Sequence, residues 1–458
     1  MTRAARASHR AVGQPLLAPF VGEPKPANGA GFYDPAFAVN KTRPIHRWAP
    51  WIAGFASDFV REVIRQNLPL AGLVMDPFAG VGTTLVEAML LGHDTIGFEV
   101  NPYAAMVCRV KLNAAMTNPM ALDRAMSAFQ DFYSGRVSSN YTPLRKPPEG
   151  FRTRVPFFSP LVLKKVLIVL DFIDTIRDTN VRDLFRLAFA STMVRYSNYS
   201  YEPSLGTRRG AGKNDILDYP VDEAIVSKLR EIAEDVEWAA CALGGRRPRV
   251  RVFNDSFFEA RKYVAPDSID LVVTSPPYLN NYHYNRNTRP QLYWLDLVKS
   301  PQDMKPLEEM NFGKFWQTVR DLAALELNFR LDNSQLAGIL QSLRGLNAER
   351  GVYGGAGWAN YVTAYFNDCR RFLVTLQSLL RRGADAYVVI GNSIIQGILI
   401  PTDRLLAEIA DSIGLQVAGI EVPRSKRVGS SIIHSDVRVA RASEAHQLYE
   451  AVVHLRKN

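Results

Sequence analysis

Cysteine is scarce in this chain of 458 residues, and the three present, Cys108, Cys241 and Cys369, stand far apart with no C-x-x-C pair. That excludes a disulfide framework and a zinc cluster of ordinary spacing, and it fits a reducing, cytoplasmic setting. None of the three follows a proline in a loop of catalytic composition, so thiolate attack on a base carbon has no candidate. Histidine is also sparse, with 7 in all. His283 and His434 stand nearest to plausible functional loops without partners at metal spacing, and no metal site is read. Long apolar runs are missing too: the most apolar stretch, Leu161 to Ile176, contains Lys164, Lys165, Asp171 and Asp174, short of the ~18 uncharged residues a membrane span needs. Acids are absent from the first ten residues, where Arg3, Arg6 and Arg10 read as a basic arm rather than a transit peptide.

Basic residues are in surplus. Lys plus Arg number 55 against 45 for Asp plus Glu, a net charge of +10, which suits a polyanionic partner and equally an ordinary basic protein. With 47% hydrophobic residues, the chain can bury a large core divided among about two to three domains.

The most informative stretch is Thr274-Ser275-Pro276-Pro277-Tyr278, preceded by the apolar run Ile269 to Val273. An exocyclic amine of a nucleic-acid base is a poor nucleophile, because its lone pair is delocalised into the ring. Acceptors aimed at its two hydrogens localise that lone pair toward a methyl donor. Ser275 offers a hydroxyl and Pro276 a backbone carbonyl, on a turn stiffened by two residues with fixed φ and no N–H. Tyr278 offers a face on which an extruded base can stack. Taken alone, the same residues also describe a strand ended by a Pro-Pro turn with a packed tyrosine.

A second motif lies far upstream. Leu73 to Thr84, containing Asp76-Pro77-Phe78-Ala79-Gly80-Val81-Gly82-Thr83-Thr84, reads as a buried strand, a glycine turn and a helix running from about Thr84 to Leu91. Gly80 and Gly82 let the backbone pass close to a ligand, and the helix start presents free N–H groups. A second strand, Asp94 to Phe98, ends in Glu99, with Asn101-Pro102 beyond. An acid there is placed to hold ribose hydroxyls. The dinucleotide fingerprint G-x-G-x-x-G is incomplete, since Leu85 stands at its third glycine, which favours a nucleoside ligand without a pyrophosphate.

Together these two motifs resemble the S-adenosylmethionine-dependent DNA amino-methyltransferases, which make N4-methylcytosine or N6-methyladenine. The resemblance implies a Rossmann-like, mostly parallel, seven-stranded α/β methyltransferase sheet with helices on both faces. It places Asp76, Pro77, Phe78, Ala79, Gly80, Gly82, Thr83 and Thr84 on the cofactor loop and Glu99 on the ribose, with Asn101 beside it. Ser275, Pro276, Pro277 and Tyr278 fall on the catalytic loop, with Thr274 next to the cofactor. Val250 to Ser256 resembles the strand whose end, Asp255-Ser256, lies near the cofactor's adenine. His46 to Trp51, with the helix-like Phe55 to Ile64, resembles the segment packed over the cofactor, and Leu279 to Arg286 continues the active-site loop. Serine at position 275 goes mostly with cytosine N4; aspartate or asparagine there goes mostly with adenine N6.

One departure is motif order: cofactor motif first, where many Ser-Pro-Pro-Tyr relatives have the catalytic motif first. The implied partners are double-stranded DNA with a flipped base and a cognate restriction endonuclease, with no membrane. Adenine N6 methylation, guanine N2 methylation of RNA and a non-catalytic DNA-binding protein are the alternatives.

The rest of the chain is read more coarsely. Residues 1–40 form an N-terminal arm and 41–114 the cofactor-binding half of the catalytic domain. Residues 115–245 form a largely helical insertion and the candidate DNA-recognition region, with 246–298 carrying the catalytic motif. Within the insertion, Arg195 to Pro203 and Thr207 to Lys213 interleave aromatic and basic residues, as suits phosphate and unstacked bases or a solvated loop. Residues 299–358, ending in the glycine-rich Gly351 to Trp358, make a lid, a recognition element or a plain flexible connection. In 359–458, a helix over Asn360 to Leu380 and strands at Ala386 to Ser393, Leu415 to Val422 and Ala451 to Leu455 complete the sheet. This alternation of strands and helices predicts a mostly parallel sheet with both faces covered. Arg424, Lys426 and Arg427, just past a strand, meet phosphate or form a solvated loop.

Overall fold

The computed structural model describes residues 37–49, 51, 54–201, 204–280, 284–332, 334–426 and 448–458. Most of the N-terminal arm, Pro50, Glu202-Pro203, Asn281 to His283, Arg427 and His434 lie outside the described residues.

Seven strands form the central sheet: β1 (Leu73–Asp76), β2 (Asp94–Phe98), β3 (Val250–Phe253), β4 (Ile269–Thr274), β5 (Leu380–Gly391), β6 (Leu415–Lys426) and β7 (Leu448–Lys457). Their order across the sheet is β6-β7-β5-β4-β1-β2-β3. The run β3-β2-β1-β4-β5 is parallel, and β7 enters antiparallel between β5 and β6. The Rossmann-like, mostly parallel sheet is therefore present. Its carboxyl edge gathers Asp76, Phe98, Thr274 and Gly391.

Alternation of side chains along the strands sends two apolar sets to opposite faces. Val74, Leu271, Val273, Tyr387 and Val389 pack under α1 (Ser57–Asn67). Met75, Val272, Ala386, Val388 and Ile390 pack under α8 (Gly355–Leu379) and α9 (Thr402–Ser412). The connectors α2 (Thr83–Leu91) and α3 (Pro102–Leu112) follow β1 and β2, with α2 packed beside α1. Between β2 and β3 the chain builds α4 (Pro119–Val137), α5 (Pro160–Thr175), α6 (Thr179–Thr192) and α7 (Val221–Leu243), which share a core with α2 and α3. Their starts follow capping chemistry: Asn118 and Asp178 accept backbone N–H groups at α4 and α6, and Pro119 and Pro160 occupy first-turn positions where no N–H is needed. No helix among the described residues is long and apolar enough to cross a membrane.

Three sequence expectations change. Tyr196 and Tyr199 are buried in the core beside Phe158 and Phe157, so the aromatic residues near 195–201 are packing groups and offer no stacking platform. The glycines at 354–357 are not a loose connection. A Cβ at Gly355 would lie 1.7 Å from the Leu343 carbonyl oxygen and one at Gly357 2.2 Å from that of Val352, so helix α8 begins there because only glycine fits. Strand β6 runs on to Lys426, which places Arg424 and Lys426 within the strand rather than beyond it. Cys241 is exposed, while Cys108 and Cys369 are buried.

Candidate active site at the carboxyl edge of the sheet

Asp76 ends β1, and Thr274 ends the adjacent β4. The Thr274 hydroxyl donates to Asp76 Oδ1 at 2.6 Å and the Phe78 N–H to the same oxygen at 3.0 Å. Thr84 on α2 donates to the Val273 carbonyl at 3.0 Å. The 76–84 loop and the 274–278 turn, far apart in sequence, are thus cross-linked at their roots. Asp76 is 1% exposed, and burial pushes its carboxyl up to about 6 against these donors.

The loop itself closes onto β2. The Gly80 N–H donates to Glu99 Oε2 at 2.8 Å and the Asn101 N–H to Oε1 at 2.7 Å, while the Ala79 N–H reaches the Phe98 carbonyl at 2.9 Å. Gly80 and Gly82 have φ of 51° and 89°, a region that L side chains avoid. At Gly82 a Cβ would also sit 2.6 Å from Cys108 Sγ on α3. Burial, with a smaller push from Asp76, raises the Glu99 carboxyl to about 7, although part of the residue still reaches solvent. Pro77, Ala79 and Thr83 are buried around the loop, and the Trp51 indole lies above it, its Nε1 3.3 Å from where a Gly80 Cβ would stand.

Phe78 packs between Phe312 and Phe372, with ring centroids 5.2 and 5.4 Å away. Asp255 accepts from the Tyr263 hydroxyl at 2.7 Å, and the Tyr263 ring stacks on Phe253 at 4.3 Å. Ser256 is buried and accepts from the Phe258 N–H at 3.3 Å. The side chain of Asn101 is committed to structure: its oxygen caps α3, and its amide donates to Asn285 Oδ1 at 3.1 Å and Thr288 Oγ at 2.8 Å. This arrangement fits a nucleoside-type cofactor. Glycine backbone, a carboxylate that hydroxyl donors would satisfy and a half-buried aromatic all converge beyond the strand ends.

Ser275 is partly exposed, and Pro276 is buried. The Pro277 carbonyl accepts from the Tyr365 hydroxyl at 3.0 Å, which ties the turn to α8. Tyr278 is half-buried, with its ring against Gly391, where a Cβ would be 3.1 Å from Cδ2, and its hydroxyl 3.4 Å from Glu450 Oε1.

Several residues that build the site carried no signal in the sequence. Tyr365 is one aromatic among many on α8. Asp235, on α7 of the insertion, is 2% exposed and accepts from the Ile45 N–H and Trp48 Nε1, each at 2.8 Å, and from Arg47 at 2.7 and 3.0 Å. His46 is buried against Glu87 at 2.8 Å, and Glu87 also takes both arms of Arg61. These contacts set the turn that leads to Trp51.

Residues 39–108, which span that turn, the cofactor loop and Glu99, match the N6/N4 family model described as DNA methylase. The chain is 25% identical over 438 residues to the type II methyltransferase M.BsoBI of Geobacillus stearothermophilus, covering 86% of this chain and 83% of that one. It is 25% identical to M.AvaI of Nostoc sp., covering 86% and 84%, and 22% identical to M.MvaI of Kocuria varians, covering 81% and 82%. The matched segment, these relatives and the joined motifs support an amino-methyltransferase of the N6/N4 type, with S-adenosylmethionine as the methyl donor.

Proposed function

We propose that this enzyme methylates cytosine N4 within a short sequence of double-stranded DNA, as the modification activity of a restriction or related defence system. The carrying observation is Ser275 at the head of the Pro-Pro-Tyr turn, its hydroxyl at the carboxyl edge of β4 next to the Asp76–Thr274 cross-link. The type II methyltransferase relatives support the DNA substrate. On this reading residues 41–114 and 246–298 are the two halves of the catalytic domain, 359–458 complete its sheet, and 115–245 contribute to recognition of DNA.

S-adenosylmethionine, when bound, supplies an electrophilic methyl group. Glu99 would hold its ribose hydroxyls, the 78–82 loop its methionine part, and Asp255 and Ser256 its adenine. Ser275 Oγ and the Pro276 carbonyl accept from the two hydrogens of the flipped cytosine's amine and turn its lone pair toward the methyl group. Tyr278 bounds the base. Transfer would be an in-line displacement in which the donor's sulfonium–methyl bond breaks as the nitrogen–methyl bond forms, the sulfur leaving as a neutral thioether with no covalent enzyme intermediate, and the amine proton would then pass by way of the Ser275 hydroxyl to water.

Nucleoside mass spectrometry of DNA from cells expressing the protein tests the reading. N4-methylcytosine is the expected mark. N6-methyladenine instead assigns the enzyme to adenine, and the absence of both marks overturns DNA methylation.

A further inference from the structure

The arginines at the two edges of the sheet are in different electrostatic states. At the amino edge, Arg249 pairs with Asp94 at 2.7 Å and Arg381 pairs with Asp270. Among the described residues Arg152, Arg154, Arg286 and Arg289 have no carboxylate partner, and the last two stand on helical turns that follow the carboxyl end of β4.

Two segments carry these four. Residues 149–156 of the insertion form an irregular strap, bent at Arg154-Val155, in which Phe151, Thr153 and Val155 are partly buried while Arg152 and Arg154 are exposed. Both guanidinium groups are thus left to solvent. The strap is seated tightly: a Cβ at Gly150 would lie 2.2 Å from the Lys299 carbonyl oxygen and 2.8 Å from Tyr293 Cε1. The second segment is the pair of helical turns Tyr284–Asn287 and Arg289–Trp294, close behind the catalytic turn. Asn285 and Thr288 face inward to Asn101, which leaves exposed Arg286 and half-buried Arg289 on the neighbouring face. Strap and helix meet where the Arg289 guanidinium lies 5.6 Å from the centroids of both Phe151 and Tyr293, rings that are themselves 5.5 Å apart. Along both segments Glu149 is the sole acid.

We propose that Arg152, Arg154, Arg286 and Arg289 form one phosphate-binding strip that holds a duplex DNA backbone beside the catalytic turn. The assignment rests on the DNA reading above, and it moves the backbone contact away from 195–213. There Arg209 is paired with Asp215 at 2.6 Å and Arg208 Nε donates to the Asn214 carbonyl at 2.7 Å. Unpaired guanidinium groups bind phosphate without first breaking an ion pair, and each contact releases counterions.

The test is fluorescence anisotropy with a labelled duplex of unrelated sequence over a range of salt concentrations. Each phosphate contact removed lowers the log–log salt slope by about one. Arg152→Gln is expected to lower it by about one and the triple variant Arg152→Gln, Arg154→Gln, Arg286→Gln by about three, with calorimetric S-adenosylmethionine affinity unchanged. Arg289→Lys, which keeps the charge, retains the parent slope. An unchanged slope in the triple variant with cofactor binding intact overturns the strip. So does an equal loss in Arg249→Gln, Arg381→Gln, which would make the effect one of net charge. A parent enzyme that shows this salt behaviour yet leaves no methyl mark on DNA sinks the catalytic reading and leaves the strip standing.

Discussion

Burial holds the Glu99 carboxyl up at about 7, against an ordinary value of 4.5. Between those values the folded chain binds the proton that the unfolded chain has released. The group's contribution to stability is therefore fully present at low pH and is lost as pH rises through about 7. Thermal melts of the ligand-free protein from acid to neutral pH should show this loss, and Glu99→Gln should flatten it. Ribose hydroxyls favour the carboxylate, so cofactor binding near neutral pH is expected to release protons. Calorimetry in two buffers of different ionisation enthalpy measures that release, which should vanish in Glu99→Gln. For Ser275→Ala, loss of one amine acceptor should lower kcat by ~10²-fold or more, with cofactor affinity retained; undiminished turnover removes the serine from the chemistry. Tyr365→Phe deletes one hydrogen bond, worth about 1 kcal/mol, from the Pro277 carbonyl. Its expected signature is a lower kcat at unchanged cofactor affinity, which separates loosening of the turn from general destabilisation.

The α2 start shows what an element requires of one residue. Gly82 combines a φ of 89° with a gap to Cys108 too small for a methyl group. Gly82→Ala is expected to cost roughly 2 to 4 kcal/mol through backbone strain plus overpacking, read as a fall in melting temperature. Adding Cys108→Gly should restore the overpacking share and leave the strain. The local elements were largely legible: strands β1, β2 and β4, the glycine turn and α7 carry strong apolar patterns with clear stops. Boundaries failed where packing overrode composition. The glycines of 354–357 look like a linker and are instead a close helix contact, and Tyr196 and Tyr199 look like a base platform and are instead core. Only their burial distinguishes these readings, and burial depends on residues far away in the chain. The site shows the same divide. Motif residues could be read one by one, but Tyr365, Glu450 and Gly391 reach the catalytic turn only through the tertiary fold.

At the scale of the whole molecule, the insertion and the cofactor pocket are one structure. Asp235 on α7 takes four hydrogen bonds from Ile45, Arg47 and Trp48, and α2 and α3 share the insertion's core. Asp235→Asn keeps the shape but strands donors that had met a charge. It should lower stability by roughly 3 kcal/mol and weaken cofactor affinity more than kcat, with partial recovery in Asp235→Glu; equal affinity in the parent and Asp235→Asn would separate the insertion from the pocket.

Ile45 holds a left-handed φ of 65°, uncommon for a β-branched residue and sustained only where its surroundings insist on it. What insists on it is a carboxylate 190 positions later in the chain. During synthesis the wall above Gly80 therefore stays unset until the insertion has been made and has docked, so the nascent chain gains its hold on the cofactor late. The same dependence limits transplantation. An insertion exchanged between relatives must bring a matching carboxylate for the turn at 45–48, or the hybrid will lose the wall above Gly80.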